Sequence, residues 1–90
     1  MKFECDSAKS AANKEKHGLD FEEAQALWDD IERIHAPASH IKEERFLVVG
    51  RIGQKHWTAV ITYRGEIVRV ISVRRARQEE VFQYEYNQND

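Results

Sequence analysis

The chain is poor in cysteine, proline and glycine, with one, one and four of them among its 90 residues. A lone cysteine excludes a disulfide within the chain. The glycines are widely separated, so no glycine-rich loop for phosphate groups is present, and nucleotide-dependent chemistry is not expected. The sequence also lacks a secretory segment and any apolar run of membrane-spanning length. We therefore expect a cytoplasmic protein without membrane association.

Patterns typical of metal sites are missing as well. The histidines outside the first predicted helix, His35, His40 and His56, have no cysteine or carboxylate at the spacing of a zinc site. The sequence therefore predicts neither a metal nor any other cofactor. Cys5 has no neighbour in the sequence that would activate its thiol, so we expect this side chain to pack in the interior.

Charge is distributed unevenly along the chain, although the formal net charge is only -2. Residues 20 to 32 contain six acids and no lysine or arginine. Residues 60 to 77 contain one acid and five arginines, which are Arg64, Arg69, Arg74, Arg75 and Arg77. Guanidinium groups keep their charge and offer a rigid fork to phosphate oxygens, so this segment predicts a polyanionic partner. The alternative is that these arginines bind no partner and only protect the edges of a sheet from pairing with other strands.

The sequence predicts one α+β domain over residues 1–90, with a short strand at 1–5 and two helices at 6–31. Asp6 is suited to cap a first helix that runs to His17, and Gly18 follows where a left-handed residue ends many helices. Asp20 and Glu23 have the spacing of a capping box for a second helix. That second helix would bury an apolar stripe formed by Phe21, Ala24, Leu27, Trp28 and Ile31.

Residues 44–75 predict an antiparallel meander on which both helices pack. Its strands run from Arg45 to Ile52, from His56 to Arg64 and from Ile67 to Val73, joined by two-residue turns. Such turns fix the register, which predicts one apolar face. This face comprises Phe46, Val48, Trp57, Ala59, Ile61, Tyr63, Val68 and Val70. We accordingly expect Tyr63 in the core rather than on a surface where a base could stack.

The opposite face of the meander is mixed, since apolar residues there are bordered by cations. It contains Leu47, Val49, Val60, Ile67 and Ile71 beside Arg45, Arg51, Arg64 and Arg69. An apolar patch of this kind is either covered or docks a partner. A short C-terminal helix is predicted at 77–86, and Val81, Phe82 and Tyr86 have the spacing to cover the patch.

One ridge of the first helix carries Lys9, Asn13 and His17 at intervals of four residues. This ridge is either a polar functional surface or a solvated face on which His17 merely complements the negative end of the helix dipole. What faces the ridge in the fold decides between the two interpretations.

The chain resembles the BrnT toxins of type II toxin-antitoxin systems over nearly its whole length. The resemblance is carried by residues 3–26, by Glu44-Arg45 with Gly50, by Tyr63-Arg64 and by residues 69–76. It implies a small ribonuclease of RelE-like architecture that inhibits growth. It also implies a BrnA-like antitoxin with a ribbon-helix-helix domain, a two-plus-two assembly with that antitoxin, and contact with operator DNA only through the assembly.

By position, the resemblance implies functional roles for Lys9, Asn13, His17, Arg64, Arg69, Arg74 and Arg75, and the basic segment adds Arg77. For RNA cleavage without metal, we expect Arg64 and Arg69 to hold the phosphate and Arg74 or Arg75 to stabilise its developing charge. Lys9 or His17 would transfer a proton, and Asn13 and Arg77 would bind RNA. Two alternatives remain open: a module that binds RNA or the antitoxin without cleaving RNA, and a toxin that has lost its activity.

Overall fold

In the computed structural model, which describes residues 1–39 and 42–88, five strands form one sheet flanked by three helices. The strands are β1 (Lys2–Glu4), β2 (Ile34–Ala38), β3 (Arg45–Ile52), β4 (Lys55–Arg64) and β5 (Ile67–Arg75). The helices are α1 (Ser7–His17), a 3₁₀ helix (Glu23–Asp29) and α2 (Gln78–Gln88). The sheet order is β1-β5-β4-β3-β2, with β1 parallel to β5 and the other pairs antiparallel.

The predicted α+β class is confirmed, and so is the meander of β3, β4 and β5. The sheet differs from the prediction because it is mixed: β1 pairs in parallel with β5, and β2 adds to the other edge along β3. The second predicted helix is a 3₁₀ helix that ends at Asp29. Ile31 therefore lies beyond it and is 89% exposed instead of completing the apolar stripe.

The predicted helix-start and helix-end signals are present in the structure. The Asp6 carboxylate accepts the backbone N–H groups of Ala8 and Lys9, and Gly18 follows α1 with a φ of 90°. Asp20 and Glu23 form a reciprocal capping box, in which each backbone N–H donates to the other residue's carboxylate at 3.0 and 2.7 Å.

The core lies between the 3₁₀ helix with its preceding loop and the predicted apolar face of the sheet. Phe21, Ala24 and Leu27 are fully buried there, against strand residues of that face. Gly50 allows the close approach, because a methyl group at this position would lie 3.1 Å from Leu27 Cδ2 and 3.2 Å from an Asp30 carboxylate oxygen. Tyr63 departs from the prediction, since it is 42% exposed.

Helix α1 lies along β5 and is tied to it by Asn13, which is only 8% exposed. The Asn13 amide nitrogen donates to the carbonyls of Val73 and Leu19 at 2.8 and 2.7 Å. The amide oxygen accepts the Val73 N–H at 3.2 Å. The short β1 pairs only with residues 67–69 of β5, so the Asn13 side chain replaces a neighbouring strand at Val73.

A β-bulge in β5 changes which way its last residues face. Val60 is opposite Ser72, but Ile61 is opposite Val70, so Ile71 is an extra residue in the ladder. The bulge brings Val73 into the core, where it is fully buried. The turn-based register is therefore confirmed up to Val70 and shifts by one residue beyond it.

Helix α2 packs over one end of the opposite sheet face. The Thr58 hydroxyl donates to Glu80 at 2.9 Å, and the Tyr84 ring meets the His56 ring edge-on at 5.1 Å between centroids. Tyr84 is buried and provides the main apolar contact of the helix, whereas Phe82 and Tyr86 are exposed. The predicted C-terminal helix is confirmed and Val81 is half-buried, but Phe82 and Tyr86, which were expected to cover the sheet face, are not buried.

Asp30 connects the end of the 3₁₀ helix to β3 and to α2. Its carboxylate accepts the Tyr84 hydroxyl at 2.7 Å and the backbone N–H groups of Arg51 and Glu32 at 2.8 and 2.9 Å. Partial burial raises the pKa of Asp30, but these hydrogen bonds outweigh it and hold the pKa below its ordinary value. No helix within residues 1–39 and 42–88 is long and apolar enough to span a bilayer.

Replacing Asn13 by alanine should destabilise the protein by about 3 kcal/mol, because it leaves buried backbone groups of Val73 and Leu19 without partners. Urea unfolding followed by circular dichroism measures the loss. Asn87→Ala on the exposed side of α2 is the matched control and should change stability by less than about 0.5 kcal/mol. Equal stability of the two variants would contradict the role assigned to Asn13.

Candidate functional site

Four cations gather at one end of the sheet, where β3 and β5 begin and β4 ends; we call Lys9, Arg45, Arg64 and Arg69 the basic groove. Lys9, Arg45 and Arg69 line a cavity of about 260 Å³ together with Asp6, Glu43, Val70 and Ile71. Arg64 and Arg69 line a second cavity of about 210 Å³ with Glu4, Cys5 and Asp6. The two cavities share Asp6 and Arg69, so they form one continuous basic surface.

Strand register and the course of α1 explain why these side chains meet. Arg69 is opposite Thr62 in β4, and the β3–β4 register places Arg45 on the other side of Thr62. Arg45 and Arg69 therefore extend from the same sheet face. Asn13 holds α1 alongside β5 at Val73, and Lys9 lies one helical turn before Asn13, which brings it beside Arg69 and Ile71.

The cations of the groove differ in how far they are neutralised. Arg64 contacts Glu4 at 3.0 Å and Arg45 contacts Glu43 at 3.1 Å. Lys9 and Arg69 make no ion pair with any residue in the described ranges 1–39 and 42–88. These two side chains are therefore available to an anionic ligand.

Asp6 lines both cavities, and its carboxylate already accepts hydrogen bonds from backbone N–H groups. The backbone N–H of Lys9, the N–H of Ala8 and the nearby charges of Lys9 and Arg69 hold the pKa of Asp6 below its ordinary value. Because Asp6 accepts two N–H groups at the start of α1, it serves the helix rather than neutralising the groove.

The remaining predicted arginines lie at the other end of β5. Arg69 and Arg75 are six positions apart on one strand, which corresponds to about 20 Å. Arg75 extends over the Trp57 ring, with its guanidinium carbon 5.5 Å from the ring centroid, and Arg77 is exposed. The fold therefore does not bring Arg75 or Arg77 to the basic groove, because β5 separates Arg75 from Arg69 and ends before Arg77.

Arg74 is the most completely neutralised of the predicted arginines. Its guanidinium makes two hydrogen bonds to the Glu80 carboxylate, at 2.7 and 2.9 Å. Partial burial raises the pKa of Glu80, but hydrogen bonds from Arg74, the Arg77 N–H and the Thr58 hydroxyl outweigh it and lower the pKa to about 2. This pair fastens α2 to β5, so Arg74 has a structural partner in the free protein.

The three predicted ridge residues of α1 also lie in different surroundings. Lys9 faces the basic groove, and Asn13 is buried with its amide bonded to backbone groups. His17 is half-buried and lies eight residues beyond Lys9, or about 12 Å along the helix, toward the Arg75 end of β5. Lys9 is therefore the ridge residue that the fold brings to Arg69 and Arg45.

The structure changes the interpretation of two residues in this region. Arg45 lies on the predicted mixed face, but it is not among the residues predicted for the site. Its position beside Thr62 in the strand register, next to Arg69, is the feature that could have identified it. Cys5 was expected in the interior, but it is exposed and lines the cavity of Arg64 and Arg69. The three-residue β1 ends at Glu4, so the chain leaves the sheet before Cys5.

The described residues contain no group of three or more histidine, cysteine, aspartate or glutamate side chains arranged to hold a metal ion. His40, one of the histidines considered in the sequence, lies outside the described residues.

Comparison with known proteins identifies the family. A family model described as "Ribonuclease toxin, BrnT, of type II toxin-antitoxin system" matches residues 5–80. The match includes α1, the whole meander and the start of α2, and thus all four residues of the basic groove. A search of curated proteins gave no match.

Glu80→Gln should lower stability by about 2 kcal/mol at pH 7, because it removes a charged hydrogen-bond acceptor from partly buried Arg74. The pKa of Glu80 is depressed by folding, so the ionised carboxylate stabilises the protein above its ordinary pKa of 4.5. This stabilisation is lost as the pH falls toward 2. Urea unfolding at pH 7, 4.5 and 3 should show a steeper acid loss for the wild type than for Glu80→Gln. Exposed Glu79→Gln is the control and should follow the wild type.

Proposed function

The chain belongs to the BrnT family of ribonuclease toxins of type II toxin-antitoxin systems, and we propose that it cleaves RNA without a metal at the basic groove. The observation that carries this proposal is the convergence of Lys9 and Arg69 on one cavity, where neither forms an ion pair with a carboxylate of residues 1–39 and 42–88. Cations held close together repel one another, which favours binding of an anion between them. A phosphate of the RNA backbone has the charge and the oxygens to fill this position.

In the proposed reaction, the RNA supplies its own nucleophile, the 2′-hydroxyl next to the scissile phosphate. Its oxygen attacks phosphorus, the bond to the 5′-oxygen breaks, and the products carry a 2′,3′-cyclic phosphate and a 5′-hydroxyl. Arg69 and Arg64 hold the phosphate oxygens and stabilise the added negative charge of the pentacoordinate state. Lys9 donates the proton that the leaving 5′-oxygen requires, because it is the predicted proton donor that reaches this cavity.

The proton of the 2′-hydroxyl needs an acceptor, and Glu43 has the right position for it. Glu43 lines the same cavity as Lys9 and Arg69. Asp6, the other carboxylate of that cavity, is occupied by the N–H groups at the start of α1. Glu43 is exposed and contacts Arg45 at 3.1 Å, an arrangement that orients a carboxylate for proton transfer.

The cations at the far end of β5 have a different role in this proposal. Arg75 lies about 20 Å along β5 from Arg69, and His17 lies about 12 Å along α1 from Lys9, so neither reaches the phosphate that those groove cations hold. Arg77 follows the end of β5, beyond Arg75. They contact phosphates further along the RNA and contribute to affinity rather than to the chemical step. Arg74 and Asn13 support the site through the structure, since one fastens α2 and the other fastens α1.

The proposal includes an antitoxin partner, since the family is one of type II toxin-antitoxin systems. A BrnA-like antitoxin with a ribbon-helix-helix domain neutralises the chain and forms a two-plus-two assembly that binds operator DNA. The mixed sheet face supports a protein partner, because Leu47, Val60 and Ile71 remain half-buried next to the groove. A segment packed on these residues would also block the RNA path.

Lys9→Gln and Arg69→Gln should each reduce RNA cleavage by about 100-fold or more, because each removes one cation from the phosphate position. Cleavage of a long RNA is measured in the presence of a chelator, by fragment size on a denaturing gel. Two controls lie outside the groove: Lys16→Gln on α1 should retain cleavage within about tenfold, and Arg77→Gln at the far end should weaken RNA binding without lowering the cleavage rate of bound RNA. Thermal melting should be unchanged in all four, since none of these side chains forms an ion pair within the described residues.

Two outcomes would contradict the assignment. Equal loss of cleavage in the groove variants and in the controls would show that the groove has no special role. A wild-type protein that shifts RNA in a salt-sensitive manner but yields no fragments would instead support a binding module without nuclease activity.

Glu43→Gln should lower the cleavage rate by about 100-fold while RNA binding is retained or strengthened, because the variant loses a negative charge and the proton acceptor together. Single-turnover rates and mobility shifts separate the two effects. The exposed neighbour Glu44→Gln does not line the cavity and is the control. A Glu43→Gln protein that cleaves at the control rate would exclude Glu43 as the acceptor.

A further inference from the structure

Three rings form a connected cluster at the end of the sheet where the basic groove lies, and we call His35, Phe46 and Tyr63 the ring platform. His35 stacks on Phe46 with 4.9 Å between centroids and an interplanar angle of 26°. Tyr63 is tilted against both rings, at 5.4 Å from Phe46 and 6.0 Å from His35. A hydrogen bond of 2.9 Å joins His35 Nε2 to the Tyr63 hydroxyl and fixes the orientation of both rings.

The platform is a surface rather than part of the core. His35 and Tyr63 are exposed, and only Phe46 packs against the core from its edge. The three residues lie on the sheet face that the 3₁₀ helix covers elsewhere, but the helix does not reach this corner. Exposed aromatic rings arranged side by side on strands are a common way to bind unpaired bases.

We propose that the ring platform binds one unpaired base of a single-stranded RNA, an inference that rests on the proposed ribonuclease function. Every base has a π-face, so stacking on a ring is possible without reading the sequence. The hydrogen bond between His35 and Tyr63 holds the rings ready before the RNA arrives, which lowers the entropy lost on binding.

The location of the platform relative to the basic groove supports this proposal. Phe46 follows Arg45 in β3, and Tyr63 precedes Arg64 in β4. Successive strand residues point to opposite faces, so the rings and the cations share one end of the sheet but extend from its two sides. An RNA strand that passes around this end places a phosphate in the groove and a nearby base on the platform.

The chain offers a matched control for this platform. Phe82 and Tyr86 on α2 are also exposed and stacked, with 6.2 Å between centroids and an interplanar angle of 22°. They are also exposed aromatic rings, but α2 packs on the other sheet face, at the end of the sheet opposite to the basic groove. A general effect of losing two exposed rings would therefore appear in both pairs.

The test compares the full chain carrying His35→Leu with Tyr63→Leu and the full chain carrying Phe82→Leu with Tyr86→Leu. The probe is a short single-stranded oligonucleotide with 2′-O-methyl groups, which cannot be cleaved, and anisotropy measures its Kd. The platform variant should bind about 5- to 100-fold more weakly than the wild type, and the α2 variant should bind like the wild type. A third variant, His35→Phe with Tyr63→Phe, keeps the rings without the hydrogen bond and should recover most of the affinity.

A set of probes that each lack one base identifies stacking more directly. One abasic position should weaken wild-type binding, and the platform variant should be insensitive to the same change. Equal affinity of the wild type and the platform variant for the intact probe would overturn the inference while leaving the ribonuclease proposal intact. Loss of antitoxin pairing without loss of RNA affinity would also overturn it and assign the rings to the protein partner. A wild type that neither binds nor cleaves RNA would overturn both proposals.

Discussion

The pairing of the Asn13 amide with the backbone of Val73 determines where the functional surface lies. A short β1 covers only the first residues of β5, so the strand needs another partner at Val73, and a side chain of α1 provides it. The amide is buried, which makes this contact costly to leave unmade. Because the contact fixes the position of α1 along β5, it also fixes Lys9 beside Arg69. One structural hydrogen-bond pair thus assembles the basic groove.

The extra residue Ile71 in β5 changes which side chains of the strand share a sheet face. Residues beyond it face the opposite side from the one that a regular strand would give them. Beyond the bulge, Val73 enters the core, while Arg75 lies over Trp57 and Arg74 reaches Glu80. The arginine-rich segment consequently serves two purposes. Its first part contributes cations to the basic groove, and its last part attaches the C-terminal helix to the sheet.

In the proposed function, cleavage at the phosphate and binding of a base take place at the same end of the sheet. The groove offers cations to phosphates on one face, and the ring platform offers π-surfaces to bases on the other. Single-stranded RNA carries both features at every nucleotide, so one protein edge can engage both. Duplex RNA hides its bases, and this arrangement therefore favours single-stranded substrates.

Turns, caps and strand periodicity depend on neighbouring residues, so these local features could be predicted from the amino-acid order alone. Asp6, Gly18 and the two-residue turns of the meander were predicted correctly for this reason, as was the buried face of the sheet. Contacts between residues distant in the sequence, in contrast, became known only from the fold. The parallel pairing of β1 and the contact between Asn13 and Val73 join segments at least 60 residues apart, and the exposure of Tyr63 depends on which segments cover that end of the sheet. Such packing leaves no periodic signal, so sequence could name the cations of the site but could not tell which of them share a cavity.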